Sequence, residues 1–280
     1  MFTARSILLL AAILGIPALL TGLLLAALGL AALPLALPLA MVAYGLTAGV
    51  LSRPFHGAIQ PGRFRRDLAE PLYRGRRLYG LCWTMVYYCP PVLQLFLAVP
   101  WLKRALVWSF GCPALRDATF YPDTWLRDLP LLELGAGAYL ANKSTLGTNT
   151  ALQNGTIVVG RIRVGARAVV GHMAAVGNGS SLGDDAELGF RAALGMKSHL
   201  GARSRVGGTT TIAHGTVIGD DVQIGQSCFI GSRVRIADGL RIPNAAVVPD
   251  RTRLTTQAEV DALFGAAPVV CRTVDLALAG

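Results

Sequence analysis

The chain has 280 residues, a formal net charge of +10 and a charged fraction of only 15%, with a mean hydropathy of +0.50. The length suggests about two domains, and the apolarity excludes an ordinary soluble protein. A basic balance points to nucleic acid or to a membrane surface. The basic cluster here directly abuts long apolar segments and no nucleic-acid motif accompanies it, so a membrane is expected and nucleic acid is not.

The N-terminal region, residues 1–52, reads as a two-span transmembrane hairpin. Between Arg5 and Arg53 there are 47 residues without an Asp, Glu, Lys, Arg or His. About 20 apolar residues cross a bilayer as a helix, so this run accommodates two crossings and a tight reversal. Spans are expected near residues 6–31 and 35–51, with Ala32, Leu33, Pro34 and Pro38 supplying the turn. The run is too long for the h-region of a signal peptide. Arg5 precedes the first span, and Arg53, Arg63, Arg65, Arg66, Arg74, Arg76 and Arg77 follow the second. The positive-inside bias then places both ends of the hairpin, and the rest of the chain, on the cytoplasmic side of the cell inner membrane.

Residues 53–133 read as a basic loop followed by a membrane-associated segment. Residues 78–102 are apolar and carry Trp83, Tyr87, Tyr88, Phe96 and Trp101, interrupted by Pro90 and Pro91 and flanked by basic residues. An aromatic belt with basic flanks suits a re-entrant or in-plane segment. A third crossing is the alternative, and it would move everything that follows to the other side. Five scattered cysteines without a Cys-x-x-Cys pair indicate neither a zinc site nor a disulfide framework.

From Leu134 onward every sixth residue is Leu, Val or Ile, through Leu140, Leu146, Leu152, Val158 and Val164 to Ile242, and no residue breaks the register. The position after each is mostly Gly or Ala, and the fifth position is small or apolar. A short period over many units means a solenoid whose units bury their apolar faces only by stacking. Residues 134–247 are therefore expected to form a parallel β-helix, and 248–280 a C-terminal cap. Thr256 and Glu259 frame a capping box for a short helix, with Val260, Leu263 and Phe264 set to cover the last coil and Pro268 to end it.

With three hexads per coil, residues 18 apart stack, giving a little over six coils about 4.8 Å apart. One corner column then reads Thr148, Ala166, Asp184, Ala202, Asp220, Asp238. A second reads Ala136, Asn154, His172, Phe190, Gly208, Gln226, Asn244, and a third Asn142, Gly160, Asn178, Met196, His214, Ser232. His172 and His214 thus occupy equivalent positions on different corners, roughly 11 Å apart along the axis. His199 falls on a strand and reads as structural. Arg161, Arg163, Arg167, Arg191, Lys197, Arg203 and Arg205 outnumber the neighbouring acids. They suit either a phosphate-bearing donor or a solvated face.

Hexads with small second positions resemble the hexapeptide-repeat family, and that resemblance alone implies a left-handed helix, whereas general crossover rules would favour the right hand. It also implies acyl transfer from a thioester donor, acyl-coenzyme A or a phosphopantetheinyl carrier protein, in a homotrimer with clefts between subunits. The stretch Ile212-Ala213-His214-Gly215-Thr216-Val217-Ile218-Gly219-Asp220 resembles a segment of lipid A acyltransferases and nucleotide-sugar N-acetyltransferases, in which the histidine is the general base. The same role passes to His214, with His172 as a second catalytic or substrate-binding candidate. Asn142, Asn154, Asn178 and Phe190 are the substrate-binding candidates, and Arg191, Lys197, Arg203 and Arg205 those for the donor's phosphates. Val170-Gly171-His172 resembles a stretch of γ-class carbonic anhydrases in which the histidine is one of three zinc ligands, but Gly177 stands where that family has its next ligand, so no metal is expected.

Taken whole, the chain is similar to one membrane-plus-β-helix unit of the C-terminal region of ε-poly-lysine synthetase and related non-ribosomal peptide synthetases. The lead-in from Leu106 to Cys112 and from Asp128 to Gly135, and the stretch Ile157 to Gly165, carry that likeness. It implies a carrier protein or a synthetase as a partner, and peptide-bond formation as an alternative activity. A non-catalytic membrane scaffold is the rival from another class.

Overall fold

The computed structural model describes residues 2–112, 114–115 and 117–265; the expectations for Pro268 and Cys271 lie outside them. The chain divides into two compact units.

The first unit comprises residues 1–115, 126–133 and 149–160. Helix α1 (Phe2–Leu28) and helix α2 (Leu33–Ser52) are each long and apolar enough to cross a membrane. Leu8 and Leu30 are 69% and 81% exposed, a surface that lipid satisfies and water does not. The reversal falls earlier than expected. Gly29 adopts φ +77°, the left-handed region that glycine enters without steric cost, and a 3₁₀ turn at Leu30–Ala32 follows. Pro34 stands in the first turn of α2, where no amide partner is lost, while Pro38 lies inside that helix and not in the turn.

Three shorter helices complete the α-helical part: α3 (Pro71–Tyr87), α4 (Pro90–Ala98) and α5 (Pro100–Ser109). Each begins with a proline, which suits the first turn of a helix and cannot continue the one before. Between α3 and α4 the axis bends by 79°, the geometry of a broken span or a re-entrant loop. Glycines in α2 set the packing: a Cβ on Gly45 would lie 2.3 Å from the Phe96 ring, and one on Gly49 would lie 1.8 Å from Ser109 Oγ. Trp83 and Phe96, expected in an aromatic belt, are buried instead. Trp83 Nε1 donates to the Leu126 carbonyl at 2.7 Å, and Tyr79 Oη to the Phe110 carbonyl at 3.0 Å. Trp101 and Tyr88 remain exposed.

The second unit contains a left-handed parallel β-helix. Three parallel sheets form its faces. One stacks Thr119–Phe120, Tyr139–Leu140, Val169–Val170, Glu187–Leu188, Arg205–Val206, Gln223–Ile224 and Arg241–Ile242. A second runs through Thr145–Leu146, Ala175–Val176, Ala193–Leu194, Thr211–Ile212, Phe229–Ile230 and Val247–Val248. The third runs from Ile162–Val164 through Ser181–Leu182, His199–Leu200, Val217–Ile218 and Arg235–Ile236 to Arg253–Leu254. The last residue of each strand, aliphatic except for Phe120, is buried in the core. Coils thus begin before Leu134 and continue past Val247.

Two features of the repeat are explained by atomic contacts. Glycine follows the leading aliphatic because adjacent coils touch there: a Cβ on Gly183 would lie 2.5 Å from the Ala202 nitrogen, and one on Gly201 would lie 2.2 Å from the Gly219 oxygen. The fifth position carries buried hydroxyls that bridge coils. Ser198 Oγ donates to the Ala213 carbonyl at 2.9 Å and accepts from the Thr216 amide at 3.2 Å; Thr216 Oγ1 repeats the pattern with the Gly231 carbonyl and the Val234 amide. Such groups are stable in a core only when both roles are satisfied.

The stacking register corrects the expected one. From Arg163 onward partners are 18 apart, as in Val164 and Leu182. Below that point Val170 pairs with Leu140 and Val176 with Leu146, 30 apart. The difference is two hexads, residues 149–160, which leave the solenoid as an antiparallel hairpin of Asn149–Ala151 and Thr156–Val159, and Gly62–Arg65 pairs with its second strand. Leu152 is exposed and is not a core residue.

Helix α6 (Gln257–Phe264) carries the expected capping box, with Thr256 Oγ1 accepting from the Glu259 amide and the Glu259 carboxylate accepting from the Thr255 and Thr256 amides. Val260 is buried and Phe264 half-buried, whereas Leu263 is 57% exposed. Gln257 finishes the sheet edge: its Oε1 accepts from the Arg241 amide at 2.8 Å, and its Nε2 donates to the Arg241 carbonyl at 3.1 Å. The side-chain amide takes the place of a next strand at an otherwise unpaired edge.

Candidate functional site on the β-helix

The corners of the β-helix follow one local rule. The fourth residue of each hexad has positive φ, about +56° at Arg167, Lys197 and Arg203, and its amide bonds a carbonyl of the preceding coil. At many corners the third residue accepts, through its side chain, the amide of the third residue one coil earlier. Asp220 Oδ1 accepts from Ala202, Asn244 Oδ1 from Gln226 and Asp250 Oδ1 from Ser232. This bond is why Asp and Asn recur there.

His214 occupies such a position and does the same work. Its Nδ1 accepts the Met196 amide proton at 3.0 Å. An imidazole that accepts at Nδ1 carries its proton on Nε2 when neutral, so the exposed nitrogen is a donor. Neutral His214 thus presents an N–H outward and has no free lone pair to take a proton.

His172 differs. Its ring stacks on Phe190 at a centroid distance of 5.8 Å and an interplanar angle of 3°, and neither ring nitrogen has a partner among the described residues. Phe190 is 49% exposed, so the stack is open to solvent on one side. Asn142 lies one coil below on the same edge, since the Met173 amide bonds the Asn142 carbonyl at 3.1 Å. Its Nδ2 donates to Asp123 Oδ1 at 3.2 Å.

The shifted register redistributes the other candidates. Asn142 belongs to the His172 edge and not to the His214 edge. Asn154 has left the solenoid; its Oδ1 accepts from the Thr156 amide within the hairpin turn. Asn178 does share the His214 edge but is only 1% exposed, which removes it from a substrate-facing wall. Arg191 sits beside Phe190 on the His172 edge, Lys197 beside Met196 on the His214 edge, and Arg203 on the third edge. Arg203 is committed to Asp221, with Nε and Nη2 each 2.7 Å from a carboxylate oxygen. Arg205 lies on a strand with its Nε 3.9 Å from Glu187 Oε2. The four cations therefore do not form one phosphate cradle. His199 Nδ1 is 2.8 Å from Ser181 Oγ on a strand face. Among the described residues no cluster of three His, Cys, Asp or Glu side chains is placed to hold a metal.

His172 and His214 flank one face, the sheet whose outward residues are Thr145, Ala175, Ala193, Thr211, Phe229 and Val247. That face has no charged strand residue, whereas the other two carry Arg163, Arg235 and Arg253, or Glu187, Arg205 and Arg241. Sequence reasoning did not separate the faces in this way, although the sixth hexad position carries the signal.

No protein-family model matches the chain, and no curated protein matches it. Solved structures do. The UDP-N-acetylglucosamine acyltransferase of Francisella novicida is 13% identical at a TM-score of 0.38, over 45% of this chain and 50% of that one. The GDP-perosamine N-acetyltransferase of Caulobacter crescentus, solved with CoA and GDP-perosamine, is 16% identical at 0.25, over 54% and 57%. The acetyltransferase domain of PglB from Neisseria gonorrhoeae is 18% identical at 0.31, over 54% and 58%. The chain spans about half the length of these proteins, and its likeness to them is one of repeat and fold.

Proposed function

We propose that the protein is a membrane-anchored acyl or aminoacyl transferase that draws on a thioester donor. The observation that carries this reading is His172, an imidazole with both nitrogens open, held flat against Phe190 at the edge of an uncharged sheet face. In the proposed reaction an acceptor amine or hydroxyl gives its proton to His172 while its nitrogen or oxygen attacks the thioester carbonyl. The tetrahedral intermediate then collapses, and the thiolate leaves with the proton that the imidazolium returns. His214 serves as an Nε2–H donor and not as the base.

The donor is acyl-coenzyme A or a phosphopantetheinyl carrier protein, and the anchor is the α1–α2 hairpin in the inner membrane with the β-helix in the cytoplasm. The two histidines lie on different edges, so one chain does not bring both to one substrate. A homotrimer that buries the uncharged face would set one subunit's His172 edge near another's His214 edge. Reporter fusions after Arg66 and at Gly280 should both read cytoplasmic; an outside signal at the latter sinks the coenzyme A donor.

The decisive test is turnover of candidate acyl-thioesters by the detergent-purified protein. His172→Ala should lower the rate by about 10²–10⁴-fold with the fold intact, and His214→Ala by less. Full activity in His172→Ala refutes the assignment. One observation favours a second reading, a non-catalytic scaffold: His214 performs the same structural task as the corner Asp and Asn residues. Both histidine variants behaving as wild type in vivo would establish it.

A further inference from the structure

The first unit contains a pocket of about 290 Å³ that the proposed acyl transfer does not use. Its lining residues include Arg66, Arg76, Arg77 and Arg127, together with Tyr73 and Asn149, and no Asp or Glu. These residues come from three separate parts of the chain: the segment from the first short strand into α3, the turn at Arg127, and the hairpin that leaves the solenoid. Folding gathers cations that would repel one another, and an arrangement of that kind needs a reason.

Arg76 is the buried member of the four. It is only 7% exposed. Its Nη2 is paired with Asp128, whose carboxylate also accepts from Asn149 Nδ2 at 3.0 Å. Its Nη1 has no hydrogen-bond partner among the described residues. A buried guanidinium nitrogen without an acceptor is costly to keep, because its hydration has been lost and not replaced. Arg66 and Arg127 have no acidic partner among the described residues, and Arg77 meets only the Tyr73 hydroxyl, at 3.5 Å. Asp128 thus answers one of four positive charges.

We propose that this pocket binds a phosphate-bearing anion. Several guanidinium forks suit the multiple oxygens of a phosphate, which accepts paired N–H donors in the plane of each fork. The Tyr73 hydroxyl and the Asn149 amide add neutral donors. The volume far exceeds the roughly 30 Å³ of a single water, so a phosphate carrying a further group fits. The phosphate belongs either to a lipid headgroup or to a soluble molecule, and the chemistry of recognition is the same for both. This inference does not depend on the transferase reading, since the pocket and the His172 edge share no residue.

Native mass spectrometry of the full-length protein in detergent tests it with two probes, phosphatidic acid and inorganic phosphate, with phosphatidylcholine as the zwitterionic control. The comparison protein is Arg66→Gln/Arg127→Gln, which keeps the buried Arg76–Asp128 pair; its fold is checked by circular dichroism. Binding of phosphatidic acid over phosphatidylcholine, weakened at least tenfold in the double variant and weakened by salt, supports the site with a lipid source. Stabilisation by inorganic phosphate with the same dependence on the two arginines, and no preference for phosphatidic acid, supports it with a soluble source. Absence of binding by both probes, or binding that the double variant retains in full, overturns it. Should the double variant misfold, Arg77→Gln on the exposed side of the pocket is the second test, with a smaller loss expected and an unchanged affinity counting against the site.

Discussion

The hairpin at residues 149–160 and the coils from Arg161 onward share a leading aliphatic every six residues, yet the hairpin strands pair antiparallel and the coils parallel. What differs is the residue after the aliphatic. In the coils it is mostly glycine, as at Gly165, Gly171, Gly177 and Gly183, where an added Cβ would lie within 3 Å of the next coil's backbone, with Ala213, Ala237 and Pro243 the exceptions. In the hairpin it is Gln153 and Val159. The hairpin also contains Asn154-Gly155, a strong local signal for a tight β-turn, and Gly155 has φ +76°. The aliphatic period therefore makes a strand possible in either arrangement, and the small second residue decides whether it can stack.

The sharpest way to break this comparison is to exchange the deciding residue. Gly201→Val would drive a branched side chain into the Gly219 carbonyl, which already lies 2.2 Å from where its Cβ would stand. Overpacking of that kind against backbone should destabilise by about 3 kcal/mol or more. Ile218→Asp, a charge in the dry column beside it, should cost about 3–5 kcal/mol. Gln153→Gly, at the matching hexad position of the exposed hairpin, should cost about 1 kcal/mol or less. Thermal or urea unfolding of the purified variants measures all three. Near-wild-type melting of Gly201→Val or Ile218→Asp would show the stacking register to be wrong.

A second test removes the hairpin altogether. Deleting residues 149–160 joins Thr148 to Arg161 and leaves Leu146-Gly147-Thr148-Arg161-Ile162-Arg163 as one intact hexad leading into Val164. Arg161 would then take the left-handed corner position that Arg167 and Arg203 already hold. The β-helix should keep its circular dichroism and its unfolding midpoint to within about 5 °C. Phosphate binding should be lost at least tenfold, because Asn149 and its neighbours leave the pocket wall. Collapse of the solenoid on deletion would mean that the hairpin is part of the coil's support.

Much of the solenoid was legible because each inward position is forced by its neighbours along the axis; one polar residue in the Leu182–Leu200–Ile218 column would have disqualified it. The excursion was hidden because it is two whole hexads long, so the phase on either side is unchanged. That length also misassigned Asn142 and Asn154, the candidate site residues below Arg161, whereas the relation between His172 and His214 survived because both lie above it. The state of His214 was not legible, since the Met196 amide that fixes its proton comes from a residue 18 positions earlier. Nor was the arginine pocket, whose walls meet only after the hairpin has left the solenoid.

The smallest expected effect concerns the corner ion pairs, which occur on the coils and have no counterpart in the hairpin turn. Arg167 pairs with Asp185 and Arg203 with Asp221, each joining left-handed corner residues of successive coils. The hydrogen bond from Arg203 holds the Asp221 carboxyl below the usual carboxylate range, and Arg167 does the same for Asp185. A carboxyl with a depressed folded value contributes stability above its unfolded pKa and loses it as pH falls through the folded one. Asp221→Asn should therefore lower the melting temperature slightly at pH 7 and make no difference once the pH is below the carboxylate range. Both side chains are solvent-exposed, so 1 M salt should remove most of the difference at pH 7. A variant whose deficit grows toward acid, or persists at high salt, would show that Asp221 acts through its turn backbone and not through Arg203.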